Sequence, residues 1–291
     1  MPTAPRFLIA ESETKEARDA RRRSSGKSSG ETFCATLKTI VPAAVCEIVR
    51  PIEQNSEASS PKDPIASYDA VFISGSPMHV YEDSPEVRRQ LEFMRAVFEA
   101  GTPSFGSCAG LQVAVAAAGG TVRENRNGHE VAIARRITPT MAGRSHPLLS
   151  GRPAAFDALS LHSDEVQSLP PETATLLATN GVTPIQAAEI RQGSGVFWGV
   201  QYHPELSLPE LAQSLRRQGR EAIEQGLART ERDVEDFAVL LETLGHDNGR
   251  KDLAWRLGID AEVIDNSKRR VELINFIEYL VYPTRSRRSR G

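Results

Sequence analysis

Two short stretches of this 291-residue chain hold the residues best able to do chemistry. The first is Gly106-Ser107-Cys108-Ala109-Gly110, entered from the Pro-opened segment Thr102-Pro103-Ser104-Phe105 and followed by strong helix formers from Leu111 to Ala118. A cysteine with a glycine two residues away on each side, between strand and helix, has the form of a nucleophile elbow. The glycines permit a tight turn and close packing, and the corner lifts the side chain out of the sheet. Cys108 also falls at a helix N-terminus, where the dipole and unpaired N–H groups favour a thiolate. Alone, Gly-x-Cys-x-Gly fits a buried structural cysteine in a Gly-rich turn just as well.

The second stretch is Val200-Gln201-Tyr202-His203-Pro204-Glu205. A thiol nucleophile needs a base and a group that orients it. His203 can move the proton, and in extended backbone Glu205 points the same way from two residues on. Pro204 favours that extension by biasing His203 away from the helical region. A rival exists in Leu161-His162-Ser163-Asp164, where a carboxylate again follows a histidine by two. The residues alone leave His162 and His203 open as the base.

The elements that must position these groups follow from the hydrophobic pattern. Arg6 to Ala10 and Val45 to Val49 read as buried parallel strands, with a helix over Glu31 to Ile40 between them. Tyr68 to Ile73 is a third strand. It ends in Ser74-Gly75-Ser76-Pro77, which should face Cys108 because sites in such sheets form at the carboxyl ends of strands. Glu86 to Ala100 has helical periodicity and a fitting cap in Gly101. Val122 to Thr138 suggests a hairpin, with His129 and Glu130 on its surface. Strands follow at 174–179, 185–190 and 195–201, then a helix from Leu208 to Leu227. His79 reads as a surface residue and Tyr81 as a candidate pocket residue, while His146 reads as structural.

Residues 18–30, with Arg21-Arg22-Arg23 and a Ser/Gly-rich run, read as a flexible basic loop. Gly26-Lys27-Ser28 fails as a phosphate loop, because the required first glycine would fall at Arg21. The composition, 40% apolar and 25% charged with net charge −3, predicts a globular chain with one large domain and an extension. It gives no global attraction to membranes or nucleic acid. Three cysteines make no disulfide framework, pointing to a reducing cytoplasm; Cys34 and Cys46 read as small core residues. No apolar run is long enough to span a bilayer, and early acidic residues (Glu11, Glu13, Glu16, Asp19) argue against a targeting peptide.

Gly-Ser-Cys-Ala-Gly-Leu-Gln and Gln-Tyr-His-Pro-Glu resemble the two catalytic motifs of class I, triad-type glutamine amidotransferases. The resemblance covers about residues 5–225 and is greatest to the glutaminase domain of GMP synthase and its stand-alone relatives. It implies an α/β fold with a doubly wound, mostly parallel sheet flanked by helices. Residues 1–227 would form that domain, and 228–291 a small helical extension with a basic tail. The resemblance breaks the tie between the histidines, implying a triad of Cys108, His203 and Glu205. It also implies an oxyanion hole from the N–H groups of Ser76 and Ala109, although synthase-linked domains commonly carry glycine at the Ser76 position. Gly75, Gln112, Leu161, His162, Ser163 and Asp164 would contact the substrate. No metal or cofactor is implied.

The implied reaction is hydrolysis of the glutamine side-chain amide through a γ-glutamyl thioester, with ammonia passing to an acceptor on a separate synthetase subunit. Ile-Ser-Gly-Ser-Pro also resembles the loop of γ-glutamyl peptidase-like proteins, so hydrolysis of γ-glutamyl amides or peptides is the alternative. A non-catalytic regulatory protein is a third class, and homo-oligomerisation stays open. Past residue 228, Val234 to Leu244 reads as a helix stopped by Gly245, and Asp252 to Ile264 as an αα hairpin. Asp260, Glu262 and Asp265 make that hairpin a poor partner for phosphates, so nucleic acid is not expected. Val271 to Val281 reads as a last amphipathic helix, and Arg285, Arg287, Arg288 and Arg290 as a disordered tail.

Overall fold

The computed structural model describes residues 4–54, 56–224 and 226–288. Strand β1 (Arg6–Ala10) is followed by helices α1 (Lys15–Ser25) and α2 (Ser29–Ile40), then β2 (Val45–Val49) and β3 (Ala70–Ile73). Helix α3 (Pro85–Glu99) leads to β4 (Ser104–Ser107) and α4 (Ala109–Ala117). Then come β5 (Thr121–Glu124), β6 (Glu130–Pro139), the short α5 (Met141–Ser145), β7 (Phe156–His162), β8 (Asp164–Ser168), β9 (Ala174–Thr179), β10 (Ala187–Gln192) and β11 (Gly195–Val200). The rest is helical: α6 (Leu208–Arg217), α7 (Gly219–Glu224), α8 (Glu231–His246), α9 (Lys251–Leu257), α10 (Ala261–Ile264), α11 (Asn266–Arg269) and α12 (Val271–Phe276). A π-helical turn (Ile277–Val281) joins α12 to α13 (Tyr282–Arg288).

The main sheet has the order β2-β1-β3-β4-β11-β10-β9-β6-β7. From β2 to β11 every pairing is parallel; from β11 onward every pairing is antiparallel. Alternate residues of the parallel strands feed two cores. Phe7, Ile9, Phe72 and Phe105 enter one face, and Leu8, Ala10, Val71 and Ile73 the other. That alternation with apolar residues on both sides is what a sheet covered by helices on both faces requires. No helix among the described residues is long and apolar enough to cross a membrane.

The expected basic loop at 18–30 is instead mostly helix. Thr14 Oγ1 caps α1 by accepting from the Ala17 N–H at 3.3 Å, and Gly26 ends it at φ 75°. Ser28 and Glu31 form a capping box that starts α2. Arg22 clasps Glu31 with two bonds of 3.0 and 2.6 Å, and the buried Glu11 accepts from the Gly30 N–H at 3.0 Å and Arg50 Nε at 2.9 Å. Ionic and capping partners, invisible to composition, turn a linker-like sequence into a helical corner.

The expected 122–138 hairpin does not form. β5 pairs with β8, and β6 pairs with β7 before meeting β9. A bulge between Ala134 and Ile137, with Arg136 at φ 54°, redirects β6 from one partner to the other. The helix expected from Leu208 to Leu227 breaks between α6 and α7. Cys34 and Cys46 are half-buried rather than fully enclosed.

The C-terminal segment is more than an add-on to the sheet. Leu253, Leu257 and Val263 share a core with Leu159 and Leu211. Phe276 sits edge-on to Phe72 at 5.4 Å and tilted to Phe105 at 5.6 Å, inside the core of one sheet face. Arg285, Arg287 and Arg288, expected to be disordered, lie in α13, where Arg288 donates to the carbonyls of Tyr68 at 3.1 Å and Gly101 at 2.9 Å. Arg290 lies outside the described residues.

Candidate active site

Three adjacent strand ends build the site. Ile73 of β3 stands opposite Gly106 of β4, and Ser107 opposite Val200 of β11. The loops that leave these strands therefore carry Gly75, Cys108 and His203 to one place. Cys108 has φ 55° and ψ −115°, a backbone conformation that side chains other than glycine resist. Such strain stores about 1–3 kcal/mol. Its N–H is held by the Val200 carbonyl at 2.9 Å, and its carbonyl accepts from Leu111 and Gln112 in the first turn of α4. The flanking glycines serve close approach: a Cβ on Gly106 would meet the Gly110 carbonyl carbon at 2.6 Å, and one on Gly110 would collide with the Ile73 carbonyl oxygen.

His203 follows β11, and its N–H donates to the Leu159 carbonyl at 2.8 Å. Its Nδ1 lies 2.7 Å from Glu205 Oε1, which also accepts from Ser107 Oγ at 3.0 Å. Thr36 Oγ1 holds the Glu205 main-chain carbonyl at 2.9 Å. A Cβ on Gly75 would come within 2.9 Å of His203 Cε1 and 3.5 Å of Cys108 Cβ, so only glycine leaves this contact open. Burial pushes the His203 pKa down, but the charges of Glu205 and Cys108 outweigh it and raise it to about 10. Imidazole and carboxylate are thus in contact in the cavity that Cys108 also lines, groups that can serve a sulfur nucleophile.

The rival histidine is engaged elsewhere. His162 Nδ1 lies 2.9 Å from the Asp164 carbonyl and Nε2 lies 3.1 Å from Glu130 Oε2. The Asp164 carboxylate pairs with His79 Nδ1 at 2.8 Å instead. Burial works against a charged His79, yet Asp164 prevails and its pKa is raised. His79, expected on the surface, lines the cavity; Tyr81 stands behind it with its hydroxyl 3.3 Å from His79 Nδ1. Gln112 Nε2 donates to the Asp164 carbonyl at 3.2 Å and Gln201 Oε1 at 3.3 Å, tying α4 to the β7–β8 turn. Leu161 presents its carbonyl 3.9 Å from Cys108 Sγ, and Ser163 Oγ donates to Asp164 Oδ1 at 3.1 Å. Ser76 lines the cavity with no positive φ, and Ala109 opens α4, where first-turn N–H groups lack helical partners.

Glu130 was expected on the surface of a hairpin but is buried. It accepts from Gln186 Nε2 at 2.7 Å and Thr183 Oγ1 at 3.3 Å besides His162. Burial raises its pKa, and these partners more than reverse that. His129 also faces the cavity, 3.6 Å from Glu221.

The cavity holds about 430 Å³, reaches from Cys108, His203 and Gly75 past Leu161 to Asp164, and continues to α1, α6 and α7. Glu13, Arg21 and Arg217 line it, although the sequence reading placed none of them in the site and put Arg21 in a flexible basic loop. For Glu13 a signal was present, since it lies just beyond the carboxyl end of β1, where such sheets place ligand contacts.

Residues 36–221 match the family described as glutamine amidotransferase class-I. Over 288 residues the chain is 34% identical to the γ-glutamyl-L-1-hydroxyisopropylamide hydrolase of a Pseudomonas species, covering 97% of this chain and 95% of that protein. It is 36% identical to the glutamine-hydrolysing GMP synthase of Streptomyces coelicolor over 138 residues, 47% of this chain and 24% of the synthase. The crystal structure of a glutamine amidotransferase from Thermotoga maritima shares the fold, with a TM-score of 0.61 at 16% identity over 94% of this chain and 98% of that one. The likeness thus reaches hydrolase and GMP-synthase homologues alike, which is broader than the GMP-synthase placement expected from the motifs. By its matched stretch and by a relative aligned almost end to end, the chain belongs to the class-I glutamine amidotransferase family.

Proposed function

We propose that this chain hydrolyses the side-chain amide of γ-glutamyl compounds bearing a small amine, by way of a cysteine thioester. The observation that carries the reading is the Cys108, His203 and Glu205 constellation beside Gly75, with the Nδ1–Oε1 contact of 2.7 Å fixing the imidazole. The near full-length likeness to a γ-glutamyl amide hydrolase supports an N-alkyl amide as the physiological substrate.

In this reading the Cys108 sulfur attacks the γ-carbonyl carbon, and the carbonyl oxygen takes the charge. Ser76 and Ala109 N–H groups stabilise that oxyanion, with each such donor worth about 3–4 kcal/mol of barrier. His203 gives its proton to the leaving nitrogen, the C–N bond breaks, and a γ-glutamyl thioester remains on Cys108. His203 then takes a proton from water, whose oxygen attacks the thioester. Collapse expels the sulfur, which regains its starting state as glutamate leaves. Glu205 holds the imidazole in one orientation and stabilises its cation. Gln112, Gly75 and the Leu161–Asp164 turn hold the glutamyl half.

A second reading, glutaminase action feeding ammonia to an acceptor on a separate subunit, is favoured by the stretch shared with GMP synthases. Steady-state release of glutamate from glutamine and from γ-glutamyl alkylamides, beside Cys108→Ala, separates the two. Better use of the alkylamides supports the hydrolase, and better use of glutamine supports the glutaminase. Turnover that survives Cys108→Ala removes both.

A further inference from the structure

We infer that α1, α6 and α7 form the amine-side subsite of the cavity. Its fit is to a γ-glutamyl amide whose leaving amine is a short alkyl chain ending in an acceptor oxygen, as a hydroxyl or a carboxylate. The inference rests on the hydrolase reading above and adds which part of this chain reads the amine.

The cavity has two unlike walls. One carries Cys108, Gln112 and the turn after β7, the parts assigned to the glutamyl half. The other carries Ala17 and Ala20 of α1, Leu215 of α6 and Ala222 of α7, with Ser214, Gln218 and Glu221 as its polar members. Ala17, Ala20 and Arg21 fall at helical spacing on one face of α1, which packs against α6. Two alanines, a leucine and a third alanine make an apolar strip with room for a few carbons. Ammonia as leaving group would leave that strip empty.

Beyond the strip stand two guanidinium groups. The Arg21 side chain is 12% exposed, and its Nε is buried with no hydrogen-bond partner. Its acidic neighbour, Glu13, keeps Oε1 3.8 Å from the guanidinium and uses Oε2 to accept from the Ser29 N–H at 2.9 Å. Arg217 donates to two hydroxyls, Ser24 Oγ at 3.0 Å and Ser214 Oγ at 3.3 Å. Both side chains line the cavity, and burial together with Arg21 lowers the Arg217 pKa from the usual guanidinium range. A buried donor without a partner is costly, and an oxygen delivered by a ligand would relieve it.

The position of these elements along the chain points the same way. The residues matched to the family run from 36 to 221 and include Cys108, His203 and Glu205. α1 and Ala222 lie outside that stretch, while the hydrolase relative aligns over 97% of the chain. The core strand β1 lies outside the matched stretch too, so what bears on the amine is that the hydrolase relative aligns through α1 and α7 as well as through the sheet.

The test compares kcat/KM for glutamine, γ-glutamyl-n-propylamide, a γ-glutamyl hydroxypropylamide and a γ-glutamyl amino acid. Wild-type enzyme should prefer at least one oxygen-ended amide to the propylamide by about tenfold, the scale on which a pocket distinguishes one small group. Ala20→Leu should lower the ratio of tailed amide to glutamine turnover by about tenfold, since leucine fills the strip yet suits a helix. Arg217→Gln, which removes the charge but keeps an amide donor beside Ser24 and Ser214, should erase the preference for the oxygen end. Loss on the amino acid alone identifies a carboxylate, and loss on the hydroxypropylamide alone a hydroxyl. Propylamide used as well as both oxygen-ended amides, or ratios unmoved in both variants, overturns the inference. Wild-type turnover of glutamine without any tailed amide also overturns it and leaves the Cys108 chemistry standing. An enzyme inert to all four overturns the hydrolase reading with it.

Discussion

The Tyr202 hydroxyl donates to Glu272 Oε1 at 2.7 Å, so the residue next to His203 is anchored to α12. Glu272 also receives Arg152 through Nε and Nη2 at 2.8 Å each, with both side chains almost wholly buried. On the other side of His203, Arg269 Nε donates to the Leu206 carbonyl at 2.9 Å. The C-terminal segment therefore grips the His203–Glu205 turn from both ends. Glu272→Ala would leave the buried Arg152 guanidinium only Glu262 as a carboxylate, 3.0 Å away, and should cost about 3 kcal/mol. Tyr202→Phe removes one hydrogen bond and should cost about 1–3 kcal/mol. Urea denaturation of both variants, read as a fall in midpoint at constant slope, checks the order.

Gly75 tests the crowding around the imidazole. Gly75→Ala places a methyl 2.9 Å from His203 Cε1, where the ring must shift. Catalytic geometry tolerates little displacement, so kcat should fall by about 10²-fold while the melting temperature barely moves. Unchanged kcat would show that the ring has another way to sit.

The strain at Cys108 gives a stability prediction opposite to its chemistry. Cys108→Ala and Cys108→Gly should both lose the thioester, visible as loss of the acyl-enzyme mass. Only glycine relaxes at φ 55°. The glycine variant should therefore match or exceed the alanine variant in stability, by up to about 1–2 kcal/mol. Thermal denaturation of the pair decides it.

The pH dependence follows from His203. Its pKa is raised to about 10, so its cation is favoured in the folded state. The corresponding stability is fully present below the ordinary histidine range near pH 6.5 and is lost as pH rises through about 10. Glu205→Gln removes the largest raising charge, so the His203 titration should move to lower pH. Nitrogen-15 NMR of the imidazole follows this without relying on turnover.

What was legible in the sequence was local. The elbow, α3 with its Gly101 cap, and the turn after β11 are written in neighbouring residues, and each forms near where the pattern puts it. What was hidden depends on partners distant in sequence. β6 needs β7 and β9, and the burial of Glu130 needs Asn180, Thr183 and Gln186, whereas the Thr14 cap and Glu31 partner of α1 are close in sequence and were masked by the Ser/Gly-rich composition. The two histidine–x–carboxylate pairs are identical in spacing; Glu205 meets His203 locally as that spacing allows, and only a tertiary contact diverts Asp164 to His79. Arg21 was hidden because three arginines before a Ser/Gly-rich run read as a flexible basic loop, whereas the residue lies on α1 and lines the cavity.

Phe276 has a consequence for how the protein is made. Its ring completes a core with Phe72, Phe105 and Trp198, all of which leave the ribosome far earlier. Until that late residue emerges, this face keeps Phe33 of α2 over Phe72 but lacks the ring that closes Phe105 and Trp198. Synthesis from the N-terminus thus passes through a stage in which most of the sheet exists but one side remains sticky. A chain halted before α12 would hold every residue proposed for the chemistry and still be prone to aggregate.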